Sequence, residues 1–325
     1  MNRRQSGVAL LTVLLLVAVM SVLLVSVLDD IRFGVRRAGN ANAQAQAQWY
    51  ALGAESLARS RLHALSARDR QATTLDGDWN DRPFAFPVED GIIRARIRDQ
   101  SNCFNLNSVV EGAEDQLYRR ETGTRQFVAL ARGVGIAPRR AGELADALAD
   151  WIDSDQSAGP LGAEDSHYLR LRQPFRTSGT LLAEVSELRA IRGFDEATYR
   201  LLRPHVCALP SPELSPVNIN TLGPDDGLML VMVSEGQLEL AAARSVIARR
   251  PAQGWRDFAT FWATPAMAGL SPGNDALQQL SLRTRYFALH AEVQYLDADV
   301  VLSTLFELDA AGEVTSIARR WTPDP

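Results

Sequence analysis

The sequence predicts an α+β fold: a long N-terminal helix, an antiparallel β-sheet, and a large helical block inserted into that sheet. Three observations lead there. An uninterrupted apolar run occupies residues 8–28, strand-like alternation occurs at 84–98 and again at 286–321, and the stretch between, 105–283, has helical periodicity. With 325 residues the chain can build more than one hydrophobic core, and its net charge of −5 argues against a general affinity for nucleic acid. Every lysine-or-arginine position is arginine.

Within residues 8–28 only Thr12, Ser21 and Ser26 are polar, and each can return its hydroxyl to its own helix backbone. At about 1.5 Å per residue the run spans a hydrocarbon core of roughly 30 Å. Arg3 and Arg4 precede it and Asp29 and Asp30 follow it, which keeps the N-terminus in the cytoplasm and exports the rest. A secretory signal would be shorter and end in a small-residue site, and Asp29-Asp30-Ile31-Arg32 is not one. The helix should continue to about residue 65, exposed over the weakly apolar stretch 38–48. It then presents Tyr50, Ala54, Leu57, Ala58, Leu62 and Leu65 as one face to a sheet. A polar loop over 67–81 leads to a hairpin, 84–88 and 91–98, turning at Glu89-Asp90-Gly91. Strands at 286–295, 300–308 and 314–321, with turns at 297–299 and 309–312, complete the sheet. The helical block is therefore an insertion.

That block reads as a diverged internal repeat. Phe104-Asn105-Leu106-Asn107-Ser108 opens one unit and Val217-Asn218-Ile219-Asn220-Thr221 the other, with asparagines and hydroxyls where they can cap helices. The proline-rich linker 209–216 divides the units. The second unit resembles a helix-hairpin-helix module, which makes a membrane-anchored DNA-binding or DNA-uptake protein the alternative reading of function. Its hairpin, 232–237, holds one glycine and Glu235, and 214–283 carries six acids against five arginines, too little positive charge to hold phosphates. Cys103 and Cys207 flank the first unit. An exported compartment permits a disulfide staple there; two unrelated buried thiols is the other reading.

The densest acidic stretch is 150–165. Asp153, Asp155, Ser157 and Glu164 match positions of a calcium-loop count, but Ala158 stands where the invariant glycine belongs, which points to an irregular oxygen cage rather than an EF-hand. The competing readings are a solvated acidic turn capping 164–172 and an acid/base pair of a hydrolase with Trp151 and Tyr168 stacking a sugar. No nucleophile-elbow, zinc-helix or phosphate-loop motif supports an enzyme, and the histidines, His63, His167, His205 and His290, are scattered.

The short basic leader, Gly7 and the apolar helix from Val8 resemble the class III leader of type IV pilins and type II secretion pseudopilins. The resemblance implies cleavage between Gly7 and Val8 by a prepilin peptidase and methylation of the Val8 amine. Those families usually carry glutamate at the fifth mature position; here it is Thr12, as in the minor pseudopilin K family, which usually lacks that acid. Helix, sheet and helical insertion extend the resemblance over nearly the whole chain. It implies a pilin-like spine and sheet with a SAM-like or helix-hairpin-helix-like insertion: leader 1–7, membrane helix 8–28, periplasmic spine 29–66, sheet 67–103 and 284–325, helical units 104–209 and 210–283. It further implies Ca²⁺ in the helical domain, carried by Trp151 to Asp155 and Gly162 to Tyr168, with Asp153, Asp155, Glu164 and Asp165 as the expected ligands. The implied role is structural rather than enzymatic: a subunit at the tip of a periplasmic pseudopilus, needed to export folded proteins across the outer membrane. The implied partners are minor pseudopilins I and J, with pseudopilin H as a further candidate, the prepilin peptidase and the inner membrane, and no nucleic acid. An unpaired carboxylate in lipid costs at least about 2.5–3.5 kcal/mol. A tip subunit has no neighbour above it to pair with such an acid, so the uncharged Thr12 suits that place.

Overall fold

The computed structural model describes residues 3–113, 116–270 and 273–322. Helix α1 (Arg3–Arg68) is followed by strands β1 (Phe84–Val88) and β2 (Gly91–Asp99). The insertion then runs through β3 (Phe104–Asn105), β4 (Val110–Ala113), β5 (Gln116–Arg119), α2 (Glu121–Gly133), α3 (Pro138–Ile152), α4 (Asp165–Tyr168), α5 (Glu196–Leu202) and β6 (Val206–Cys207). Its second unit holds β7 (Val217–Asn218), α6 (Gly227–Val233), α7 (Leu240–Ala248), α8 (Phe258–Trp262), α9 (Asn274–Gln279) and β8 (Leu280–Ser281). Strands β9 (Tyr286–Tyr295), β10 (Ala298–Leu308) and β11 (Val314–Arg320) end the chain. The main sheet is antiparallel, in the order β1-β2-β9-β10-β11. Because β2 and β9 are neighbours, everything between them leaves from and returns to one end of the sheet.

The apolar half of α1 is long and apolar enough to cross a membrane, and its large side chains are exposed. Gly7 and Val8 lie in the first turns of α1. Thr12 and Ser21 return their hydroxyls to the carbonyls of Ala9 (2.9 Å) and Val17 (2.8 Å), so neither leaves a donor unpaired in an apolar surround. The distal half packs on the sheet through Ala43, Ala47, Ala51, Ala54, Ala58 and Leu62. Ala43 and Ala47 correct the expectation that 38–48 is wholly exposed, and Leu57, 40% exposed, is not in the contact. The physical reason is close approach. A helix lying against a sheet selects small side chains where the axis is nearest, and a search for large apolar residues misses them.

Glu55 is the polar exception on that buried face. Its carboxylate, 3% exposed, accepts two bonds from Arg319 of β11 (both 2.8 Å) and one from the Thr304 hydroxyl of β10 (3.1 Å), and it pairs with Arg59 (3.3 Å). Burial raises its pKa, but the Arg319 and Thr304 bonds outweigh that and hold it below the ordinary value.

The insertion has its own core, built on Phe104, Phe127, Leu144, Leu148, Met232 and Phe261 among others. The repeat is real, and it does more than cap helices. Each unit's opening strand pairs in parallel with the same unit's last: Asn105 with Cys207, and Asn218 with Ser281. Asn107 clasps the backbone of Leu182, accepting from its N–H (2.7 Å) and donating to its C=O (2.9 Å). Asn220 does the same to Trp255 (2.7 and 3.0 Å). Asn105 caps only a short 3₁₀ turn, because the hairpin β4–β5 intervenes before α2. The buried asparagines therefore stand in for missing strand neighbours.

Cys103 and Cys207 are joined by a disulfide with Cα atoms 5.8 Å apart, in a small cluster with Leu209 and Tyr286 on the seam between sheet and insertion. It closes a loop of 104 residues, for which chain-entropy reasoning gives about 4–5 kcal/mol. The seam is otherwise polar. Asp99, at the end of β2, accepts bonds from the Thr221 hydroxyl (2.6 Å), the Thr284 hydroxyl and the Ser101 N–H (2.7 Å). Asn218 links Thr284 (2.9 Å) to the carbonyl of Thr73 just past the spine. Thr73 N–H to Leu282 O (2.8 Å) and Arg256 to Asp69 tie the insertion to the distal end of α1.

Replacing Glu55 by alanine should cost about 2–3 kcal/mol, between the ~0.2–1 of an exposed pair and the ~3–5 of breaking a fully buried one, because Arg319 is half-exposed. The folded pKa of Glu55 is depressed, so its contribution is present above the ordinary carboxylate range and is lost as pH falls through the lowered value. Chemical denaturation of wild type and Glu55→Gln against pH checks both. The variant should be the less stable near neutrality, with the gap closing in acid.

Candidate metal centre

The acidic stretch begins on a helix. Asp146, Asp150 and Asp153 follow one another by four and three residues along α3, so the helix stacks their carboxylates on one face. Asp153 closes α3 as its C-cap and Glu164 precedes α4 as its N-cap. The loop between them folds back, so that Asp150, Asp153 and Glu164, all buried, bring one oxygen each to within 4.8 Å of one another. The fold-back needs glycine: a Cβ at Gly162 would lie 1.8 Å from Asp150 Oδ2. Gly159 N–H donates to Asp150 (3.1 Å), and Leu161 N–H donates to Asp146 (3.0 Å), whose other oxygen meets Arg119 (2.7 Å).

Three buried carboxylate oxygens of this cluster have no hydrogen-bond partner: Asp153 Oδ1 and both Glu164 Oε1 and Oε2. Each such orphan costs about 1–3 kcal/mol. Burial first, and then repulsion from the neighbouring carboxylates, pushes Asp153 up to about 7 and Glu164 up to about 8, and raises Asp150. Three converging buried oxygens with open lone pairs fit a hard cation, since oxygen-only donors suit Ca²⁺ or Mg²⁺ and a separation under 4.8 Å is about twice a metal–oxygen distance.

Of the residues singled out from sequence, Asp153 and Glu164 are in the cluster. Asp155 is exposed at its rim and turns its carboxylate to the Ser157 N–H (2.7 Å). Asp165 points away and is committed to Thr177 N–H (2.9 Å), the Thr177 hydroxyl (3.1 Å) and Arg176 (2.6 Å), contacts that hold its pKa low. Asp150 takes the place the sequence reading assigned to Asp165. The missed signal was the helical spacing of Asp150 and Asp153; the fold-back that brings Glu164 to them is not a local property. Trp151 and Tyr168 pack edge-to-face with ring centroids 5.2 Å apart and form a wall, not a sugar platform.

In the second unit, α6 and α7 are joined by a hairpin in which Glu235 (φ 52°) and Gly236 (φ 81°) are left-handed. Glu235 binds Arg125 of the first unit (2.7 Å), so the turn serves to join the units and presents an acid where a phosphate would sit.

Two family models described as Type II secretion system (T2SS), protein K match residues 102–211 and 217–283, the two units of the insertion. Type II secretion system protein K of Aeromonas hydrophila is 34% identical over 94% of this chain and 93% of its own length. That of Klebsiella pneumoniae is 38% identical over 82% of each. A crystal structure described as the GspK-GspI-GspJ complex of the enterotoxigenic Escherichia coli type 2 secretion system contains a chain similar to this one, with a TM-score of 0.77 at 30% identity, covering 88% of this chain and 99% of that one. The paired helical units, the inserted topology and these near-full-length relatives place the chain in the type II secretion system protein K family, as a minor pseudopilin of that system.

Proposed function

We propose that this minor pseudopilin occupies the tip of the periplasmic pseudopilus, anchored by a single span in the inner membrane with the bulk of the chain periplasmic, and that its role is structural rather than catalytic. One observation carries the reading. The insertion is bonded to the distal end of α1, through Asp69, Thr73 and their partners, about 60 Å along the helix from Leu28. A block of that bulk at the far end of the spine obstructs the stacking of another head above it while leaving the membrane-proximal spine open to neighbours below. Thr12 agrees, because a subunit with nothing above it has no terminal amine for an acid to meet.

The partners proposed are minor pseudopilins I and J, the two that accompany the related chain in its solved complex. Detergent-solubilised full-length protein mixed with pseudopilins I and J should elute as a ternary complex in size-exclusion chromatography. Separate elution of all three sinks the tip assignment. Processing is proposed between Gly7 and Val8 by the prepilin peptidase. Mass spectrometry of membrane-extracted protein should find a chain beginning at N-methylated Val8, whereas an intact Met1 would mark a plain signal anchor.

Ca²⁺ is the proposed occupant of the carboxylate cluster, held by Asp150, Asp153 and Glu164. When bound it supplies charge neutralisation, and the chain's own part is to converge three carboxylates and bury them. Millimolar Ca²⁺ should raise Tm, by about 2.7 kcal/mol of stability at a hundredfold excess over Kd. In chelator the folded form holds protons on Asp153 and Glu164 that the unfolded chain does not, so stability should fall as pH rises from the ordinary carboxylate range through about 7 to 8. Glu164→Gln should weaken that pH dependence, raise Tm in chelator and abolish the response to Ca²⁺. A Tm indifferent to Ca²⁺ in wild type refutes the assignment.

A further inference from the structure

We propose that the surface around Tyr168 is a docking site for an acidic, apolar-bearing segment of a protein partner. Leu161, Leu169, Leu171 and Phe175 are 38%, 45%, 39% and 38% exposed. Tyr168 gathers them. Its ring lies 5.1 Å from that of Phe175, Leu169 follows it in the chain, and its hydroxyl accepts from the N–H of Arg192, whose guanidinium donates to the Leu161 carbonyl.

The charge around these residues is positive and unanswered. Arg170 and Arg172 alternate with the exposed leucines, are themselves exposed, and their guanidiniums have neither a carboxylate nor a hydrogen-bond partner among the described residues. Arg176 is taken by Asp165 and Arg140 by Glu143, while among the described residues the Arg192 guanidinium meets a backbone carbonyl and no carboxylate. His167 registers the field: after burial, Arg192 and Arg170 push its pKa down. In a chain of net charge −5 this is a local excess of the opposite sign. Beside it opens a cleft of about 490 Å³ lined by Arg140, Glu143, Leu161 and Arg192. Uncompensated arginines interleaved with leucines match a segment in which carboxylates alternate with apolar side chains.

A protein segment fits better than a lipid surface. Each of the four apolar residues keeps more than half its surface covered, so none stands proud of the surface. Burial by about 5–10 Å at a lipid interface needs residues that stand proud, and a membrane does not enter a concave cleft. Four partly covered side chains offer little apolar area, so the contact is transient and electrostatically steered.

The test uses full-length protein in neutral detergent, with fluorescence anisotropy of a short labelled peptide alternating glutamate and leucine. The peptide should bind, more weakly as salt rises from about 50 to about 200 mM, and its glutamine analogue should not. Arg170→Ser combined with Arg172→Ser should weaken binding about tenfold with Tm unchanged, and Leu169→Ser should weaken it as well. Three results overturn the proposal: no binding of the acidic peptide, equal binding by wild type and the double arginine variant, or displacement by dihexanoyl phosphatidylglycerol at lower concentration than by unlabelled peptide, which would make the surface a lipid site.

Discussion

Asp99 is where the two halves of this molecule meet. Its carboxylate is buried at the end of β2, receives hydroxyls from Thr221 of the insertion and Thr284 before β9, and is held by Ser101 N–H. Burial pushes its pKa up to about 6, and the donors aimed at it come from the chain entering the insertion (Ser101), from within it (Thr221) and from the chain leaving it (Thr284). A buried polar group is tolerated only where such donors are present, so the junction admits few alternative geometries. The disulfide between Cys103 and Cys207 lies against the same seam. Together they brace the two-strand neck by which the insertion joins the sheet.

The spine helix shows the same economy in two solvents. Its first half exposes leucine and valine all round, as a lipid-facing helix does, and its second half buries a stripe of alanines against β9 and β10. Glu55 interrupts that stripe and reaches the edge strand β11 through Arg319. The last strand of the chain is thereby bonded to the packed half of the spine.

The carboxylate cluster works against stability. Three buried acids are forced together there, and the carboxylate oxygens of Asp153 and Glu164 that burial leaves without donors carry the cost. A few residues further along the same loop, the surface changes from buried acid to exposed arginine and leucine. The fold thus sets buried carboxyl groups on one side of the short helix α4 in the sequence and exposed arginines and leucines on the other.

The chain's sequence alone determined what depends on neighbours along the chain: the apolar run and its flanking charges, the strand alternation at both ends, the turns at Asp90 and Gly312, and the two Asn-x-Asn openings. These are legible because helix and strand periods place side chains by local geometry. Only the tertiary structure decided which acids converge, that Asp165 belongs to Arg176 and Thr177, that Ala43 and Ala47 are buried, that Glu55 meets Arg319, and that the asparagines clasp backbone at Leu182 and Trp255. Each of those contacts is set by the path of the chain between distant or folded-back segments. The free energy that selects that path belongs to the packed whole, and no window of sequence contains it.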